Sequence, residues 1–132
     1  EKQIRYHDLD LLGGYIYYRD KKYSDTVWCL TNFLKTIPKR EKEFGKFSEA
    51  LNTLGWAYYH LNDYPNAIKA FQRLAEFHKD DDIWAAPYDG MGWSYLKMGD
   101  KSTAKKMFEK ALNLFPGYAS SLAGLEELKK QQ

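Results

Sequence analysis

The chain has 132 residues, a length typical of one domain, and 44% of them are hydrophobic while 29% are charged. This balance excludes an intrinsically disordered chain, and a formal net charge of +2 gives no indication of nucleic-acid binding, which needs a strongly basic face. A single cysteine, Cys29, excludes an intrachain disulfide, and no apolar run is long enough to cross a membrane.

The first predicted helices surround Gly14. Tyr17 follows this glycine, and Pro38 lies 24 residues after it, where it ends the second helix. Asp10 and Gly13 stand where later segments of the chain have large apolar residues. We therefore expect a helix pair with a weak outer packing face, either a terminal cap or a pair that lacks its neighbour.

Two later segments share one spacing of small and aromatic residues. Each has a Gly, an Ala 12 residues later and a Phe 16 residues later: Gly55, Ala67 and Phe71, then Gly92, Ala104 and Phe108. We expect each glycine to lie against the alanine of its own segment where two antiparallel helices cross, because a larger group would push the helix axes apart. A glycine inside a helix costs about 1 kcal/mol, so close packing must offset it.

The residues around these glycines carry a resemblance to a known family. The chain reads Leu51-x-x-Leu54-Gly55-x-x-Tyr58 and Tyr88-x-x-Met91-Gly92-x-x-Tyr95, and Pro116 closes the later segment. This pattern resembles the tetratricopeptide-repeat family. The resemblance implies an all-α fold, a right-handed α-solenoid of about three helix pairs with a C-terminal capping helix, and no convincing strand. The expected single domain covers 1–132, with repeats at 7–40, 48–81 and 85–118 and a terminal helix at 119–130.

Residues that often carry chemistry are few and scattered. His7, His60 and His78 form no close metal-binding pair, and His60 and His78 fall near predicted helix ends, where an imidazole suits the helix dipole. Cys29 is expected to be a buried thiol, and the aspartate run 80–82 lacks the spacing of a calcium loop. No nucleophile, base and orienting group occur together, so we expect no enzyme activity, no cofactor and no metal.

The Leu–Gly–Tyr residues of the repeat pattern lie on one face of the first helix of each repeat and are expected to pack inside. A second face of the same helix remains to be assigned. The period of 3.6 residues places the residue after each glycine on one face with residues three or four positions away. In the family this face lines the concave groove that receives ligands. The predicted groove residues are Tyr15, Tyr18, Asn52, Trp56, Tyr59, Asp89 and Trp93. Trp and Tyr are favoured binding anchors, although the same rings also serve as packing between repeats.

The predicted function is a non-catalytic scaffold or adaptor that binds a protein or peptide partner in this groove, with no nucleic-acid partner. A subset of the family binds the carboxylate tails of chaperones through Lys and Asn residues. Here the groove has Asp8, Glu49, Asn52 and Asp89 instead, so a chaperone tail is not the expected ligand.

Two other functions stay open from the sequence. The chain starts at Glu1, and we expect a fragment or processed form, so it is also read as one segment of a longer array or a self-associating scaffold. Segment 116–125 resembles bacterial tetratricopeptide proteins, some of which serve envelope assembly or polysaccharide export. Because an aromatic row suits sugar rings as well as peptides, the other open function is a polysaccharide-binding module in the envelope or in exopolysaccharide export. Cytoplasm and periplasm both fit this resemblance.

Overall fold

A computed structural model describes residues 6–37, 45–79 and 84–131. In these ranges the chain forms seven α-helices and no strand, which confirms the expected all-α solenoid. The helices are α1 Tyr6–Arg19, α2 Tyr23–Thr36, α3 Lys46–His60, α4 Tyr64–Phe77, α5 Ala86–Lys97, α6 Lys101–Leu114 and α7 Ala119–Lys130.

The helices pack as three successive pairs followed by a single helix. Helix α1 packs on α2, α3 on α4 and α5 on α6, while each pair also contacts the next one. Helix α7 covers α5 and α6 at the C-terminal end. Because each pair touches only its neighbours, the core is a row of connected clusters, as expected for a solenoid.

A short turn with one left-handed residue reverses the chain inside each pair. Lys21, Asn62 and Gly99 occupy equivalent places in these turns with φ of 59°, 61° and 86°. Asp63 and Asp100 then cap the helices that follow, since each side chain accepts a hydrogen bond from the backbone N–H three residues on. The second helix of each pair is thereby set antiparallel to the first.

Two fully buried phenylalanine rings lie at the joints between helix pairs. Phe71 is approached by Gly55 of α3 and by Gly90 of α5, and a Cβ added at Gly55 would lie 2.6 Å from two of its ring atoms. Phe108 is approached in the same way by Gly92 of α5 and Gly124 of α7. The close approach of the helix backbones to these two rings therefore requires glycine at the four positions.

The expected contact between each glycine and the alanine of its own segment stays a prediction. The nearest atoms belong to the phenylalanine of the segment, not to its alanine, because the ring reaches across the crossing point while the alanine side chain is short. In the first pair, Gly14 meets Leu30 at the equivalent position, so a smaller side chain fills that joint.

The outer face of α1 is apolar. Leu9, Leu12 and Ile16 are 51%, 57% and 40% exposed there. Asp10 and Gly13, on which the expectation of a weak packing face rested, are both half-buried, and that expectation stays a prediction. No helix within the described residues is long and apolar enough to cross a membrane.

The glycine–phenylalanine contact predicts the effect of a single methyl group. We expect Gly55→Ala to lower the free energy of unfolding by about 1–3 kcal/mol, because overpacking against Phe71 outweighs the gain of about 1 kcal/mol in helix propensity. Chemical denaturation would measure it.

The exposed Lys106→Ala is the control and should change stability by no more than about 0.5 kcal/mol. Adding Phe71→Leu to Gly55→Ala should cost less than the sum of the two single changes, since the smaller side chain makes room for the methyl group. A Gly55→Ala protein as stable as the wild type would contradict the assigned contact.

Candidate functional site

The seven predicted groove residues all lie on the first helices of the pairs. Tyr15 and Tyr18 are on α1, Asn52, Trp56 and Tyr59 on α3, and Asp89 and Trp93 on α5. Six of them are half-buried, and Asp89 is buried. The row is therefore one surface of half-exposed rings with a buried carboxylate beneath it.

The two tryptophans are anchored on the buried rings of the joints. Trp56 packs edge-to-face on Phe71, with centroids 5.4 Å apart, and Trp93 packs on Phe108 in the same way at 5.5 Å. Such contacts hold a side chain in one orientation and contribute about 0.5–1.5 kcal/mol beyond burial. Each tryptophan thus serves packing with one edge and leaves another part of the ring at the surface.

Asp89 joins α5 to α7. Its carboxylate accepts hydrogen bonds of 2.8 Å from both Ser120 and Ser121, and the Trp93 indole N–H donates to the Ser120 hydroxyl at 3.0 Å. Burial raises the pKa of the Asp89 carboxyl above its ordinary range, while the hydrogen bonds from the serines oppose this. Asp89 is 2% exposed, so its carboxylate holds the end of the solenoid together and faces away from solvent.

The groove between α1 and α3 carries acidic groups. The Tyr15 hydroxyl donates to the Glu49 carboxylate at 3.3 Å, and Lys46 pairs with Asp8 at 3.2 Å. Burial, aided by the charge of Glu49, raises the pKa of the Tyr15 phenol. The Asn52 carbonyl oxygen is buried and has no hydrogen-bond partner among the described residues. The exposed charge of this part of the groove is therefore that of Glu49, together with the Asp8–Lys46 ion pair.

An aromatic cluster extends this surface toward the turns of the first two pairs. We call it the tyrosine patch; its members are Tyr18, Tyr23, Tyr59, His60 and Tyr64. Tyr18 meets Tyr23 edge-on at 5.6 Å, and Tyr59 meets Tyr64 at 5.7 Å. His60 joins the two pairs, since it stacks on Tyr23 at 4.6 Å and contacts Tyr59 at 5.5 Å.

Sequence reasoning identified two members of this patch and missed the other three. Tyr23 and Tyr64 begin the second helices of their pairs and lie outside the stripe used for the prediction. The signal was nevertheless present, because the same five-residue step separates Tyr18 from Tyr23 and Tyr59 from Tyr64. His60 was interpreted only as a residue near a helix end.

His78 and Cys29 are the other residues singled out in the sequence that the structure describes. His78 stacks on Trp84 at 4.2 Å and shares a hydrogen bond with Ser48. Cys29 is buried, and burial raises the pKa of its thiol. No group of three or more His, Cys, Asp and Glu in the described ranges is arranged to hold a metal. The His7 side chain and the run 80–82 lie outside the described residues.

Family models recognise two segments of the chain. Residues 48–81 and 89–118 each match a model described as tetratricopeptide repeat, and these segments hold the pairs built on Phe71 and Phe108. The chain therefore contains two tetratricopeptide repeats. The predicted likeness to bacterial members stays a prediction.

Solved tetratricopeptide domains share the fold over nearly their whole length. The first TPR domain of the human RPAP3 protein is 17% identical with a TM-score of 0.78, covering 95% of this chain and 91% of that one. The Arabidopsis OM64 TPR domain is 16% identical with a TM-score of 0.77, covering 96% and 97%. At such identity the similarity shows the fold.

A curated relative matches a smaller part of the chain. Intraflagellar transport protein 70A of Danio rerio is 26% identical over 68 residues, which is 47% of this chain and 10% of that protein. The tetratricopeptide domain thus spans a small fraction of that relative.

The network around Asp89 gives a stability prediction. We expect Asp89→Ala to lower the free energy of unfolding by about 2–4 kcal/mol, because Ser121 is fully buried and loses a charged acceptor. Thermal or chemical unfolding would measure it.

Glu109→Ala is a matched control, since its carboxylate lies at the surface, 3.9 Å from Lys105, where an ion pair contributes less than about 1 kcal/mol. Equal stability of Asp89→Ala and Glu109→Ala would mean that Asp89 does not anchor α7.

Proposed function

We propose that this tetratricopeptide domain is a non-catalytic module that binds a peptide or protein surface along the groove of α1, α3 and α5. One observation carries the proposal: Tyr15, Trp56 and Trp93 occupy equivalent places on the first helices of three successive pairs and are half-exposed there. A row of anchored aromatic rings is typical of a binding surface, because Trp and Tyr dominate interface energetics.

The anchoring of these rings supports binding as well as packing. Because Phe71 and Phe108 hold the indoles in place, a ligand does not have to order them, and less side-chain entropy is lost on association. Binding and packing, the two roles that the sequence left open for the tryptophans, are therefore compatible, since each indole packs with one part of its ring and exposes another.

Solved relatives give general support and a contrast. The first TPR of Spaghetti is bound to the HSP90 peptide SRMEEVD, at 16% identity, a TM-score of 0.78 and coverage of 96% of this chain and 92% of that one. That peptide is acidic. In the groove of this chain the exposed carboxylate of Glu49 would repel such a ligand. We therefore propose a peptide ligand of different charge.

The binding test is truncation of one anchor. Affinity capture with the wild type and with Trp56→Ala would identify what the variant loses, and titration calorimetry would follow with the recovered partner. Loss of a central aromatic anchor costs about 2 kcal/mol or more, so we expect about thirtyfold weaker binding with the helical spectrum retained.

Trp28→Ala is the matched control, because Trp28 is an exposed tryptophan on α2, outside the groove. It should bind like the wild type. Unchanged affinity of Trp56→Ala would rule out the groove as the site, and loss of its helical spectrum would assign the tryptophans to packing.

The apolar face of α1 favours a second candidate, a segment of a longer array or a self-associating scaffold. The residues equivalent to Leu9 and Ile16 are buried in each later helix of this type. They are Ala50 and Ala57 in α3, Pro87 and Ser94 in α5, and Ser121 and Leu128 in α7. In α1 the same two positions are open. This face therefore has the register of a joint without its neighbour.

Self-association through this face is tested by mass against concentration. If the face pairs, light scattering should show the mean mass of the wild type rising with concentration, while Leu12→Glu stays monomeric with an unchanged helical spectrum. If the wild type is monomeric at every concentration, self-association is rejected. Binding in the groove is then the function still to be tested.

A further inference from the structure

The tyrosine patch contains the same edge-on ring contact twice. The Tyr18–Tyr23 and Tyr59–Tyr64 pairs have interplanar angles of 66° and 67°, so the same edge-on arrangement occurs in two successive helix pairs. In the third pair the equivalent positions hold Leu96 and Lys101. The aromatic motif is thus confined to one end of the groove, where Trp56 continues it at 5.2 Å from Tyr59.

The rings of the patch are partly open to solvent and offer hydrogen-bond donors. The Tyr64 hydroxyl donates to Asn62 at 2.9 Å. The hydroxyls of Tyr18, Tyr23 and Tyr59 and the indole N–H of Trp56 make no hydrogen bond within the described residues, and all four side chains are half-buried. Burial raises the pKa of the Tyr18 and Tyr59 phenols, so they remain protonated donors at neutral pH.

This combination of flat rings and free donors selects among peptide conformations. A proline-rich segment in the polyproline II conformation presents flat pyrrolidine rings and solvated carbonyl acceptors, while its prolines have no N–H that needs an acceptor. Such a segment is already extended, so little entropy is lost when it docks on aromatic side chains. Lys21 places a positive charge beside the patch: the pKa of His60 is lowered first by burial and then by the charge of Lys21. This charge argues against a basic peptide as the ligand.

We propose that the tyrosine patch, together with Trp56, binds a proline-rich segment of a partner protein in the polyproline II conformation. The inference rests on the proposed function, because Tyr18, Trp56 and Tyr59 belong to both surfaces. It assigns a ligand chemistry to the end of the groove nearest the turns of the first two helix pairs. The phenol and indole donors bind the carbonyl oxygens, and the ring faces bind the prolines.

The test is a titration of the intact chain with a decaproline peptide, in which binding is measured by tryptophan fluorescence and by calorimetry. We expect saturable binding to the wild type, about tenfold weaker binding to Tyr23→Ala, and at least about fivefold weaker binding to the double variant Tyr23→Phe, Tyr59→Phe. The double variant keeps the rings and removes only two hydrogen-bond donors, which contribute about 0.5–1.5 kcal/mol each.

Tyr118→Phe is the matched control, because Tyr118 is a half-buried tyrosine next to α7 and outside the patch. It should bind decaproline like the wild type. Binding that is unaffected by the Tyr23 and Tyr59 variants would overturn the proposal, since decaproline would then bind elsewhere.

Three further probes separate this inference from the proposed function. The acidic peptide SRMEEVD, a decalysine peptide and a hexasaccharide of glucose should each bind more weakly than decaproline; tighter binding of any one would overturn the polyproline assignment. If decaproline fails to bind while Trp56→Ala still loses a captured partner, the patch inference is wrong and the groove remains the binding site. If both fail, the groove itself is rejected.

Discussion

The spacing of the second pair, the third pair and α7 depends on one kind of contact, a buried phenylalanine ring held between two glycines. Phe71 is flanked by Gly55 and Gly90, which lie on the first helices of neighbouring pairs, so the ring belongs to both pairs at once. Any Cβ on either side would push a helix away from the ring. The cost of two glycines inside helices is offset because their backbones approach a large apolar side chain directly. Phe108 repeats the arrangement with Gly92 and Gly124 and thereby fixes the position of the last helix.

The candidate binding surface is the outer layer of the same contact. Trp56 and Trp93 pack edge-on against the two held rings, so the geometry of the joint sets the orientation of the groove aromatics. Asp89 adds a polar connection below them, because its carboxylate is held by two serines of α7 while Trp93 donates to one of these serines. Core, cap and surface are therefore one continuous network at the C-terminal end. At the other end Tyr15 meets Glu49 and the surface is more open and acidic.

The two ends of the solenoid differ in chemistry for a physical reason. Helix α7 covers the last joint and presents ion pairs such as Lys129 with Glu126, 3.4 Å apart, to the solvent. Helix α1 instead exposes Leu9, Leu12 and Ile16. The positions of Leu9 and Ile16 are buried in α3, α5 and α7, and exposed apolar side chains at such positions are characteristic of an open joint. The candidate groove and this exposed face of α1 are different surfaces, so the two proposed functions do not compete for the same residues.

The sequence by itself determined the helices, their pairing and the family, because these depend on spacings along the chain: glycine to phenylalanine within a pair, and Asn62-Asp63 or Gly99-Asp100 at a turn. It also determined which residues share one face of one helix, and so brought Trp56 and Trp93 into one row. Contacts between helices were decided only by the tertiary structure, since they depend on how pairs stack. Asp89 shared the predicted face with Trp93, yet α7 covers its carboxylate. His60 became the centre of an aromatic patch because Tyr23, from a different helix pair, lies over its ring.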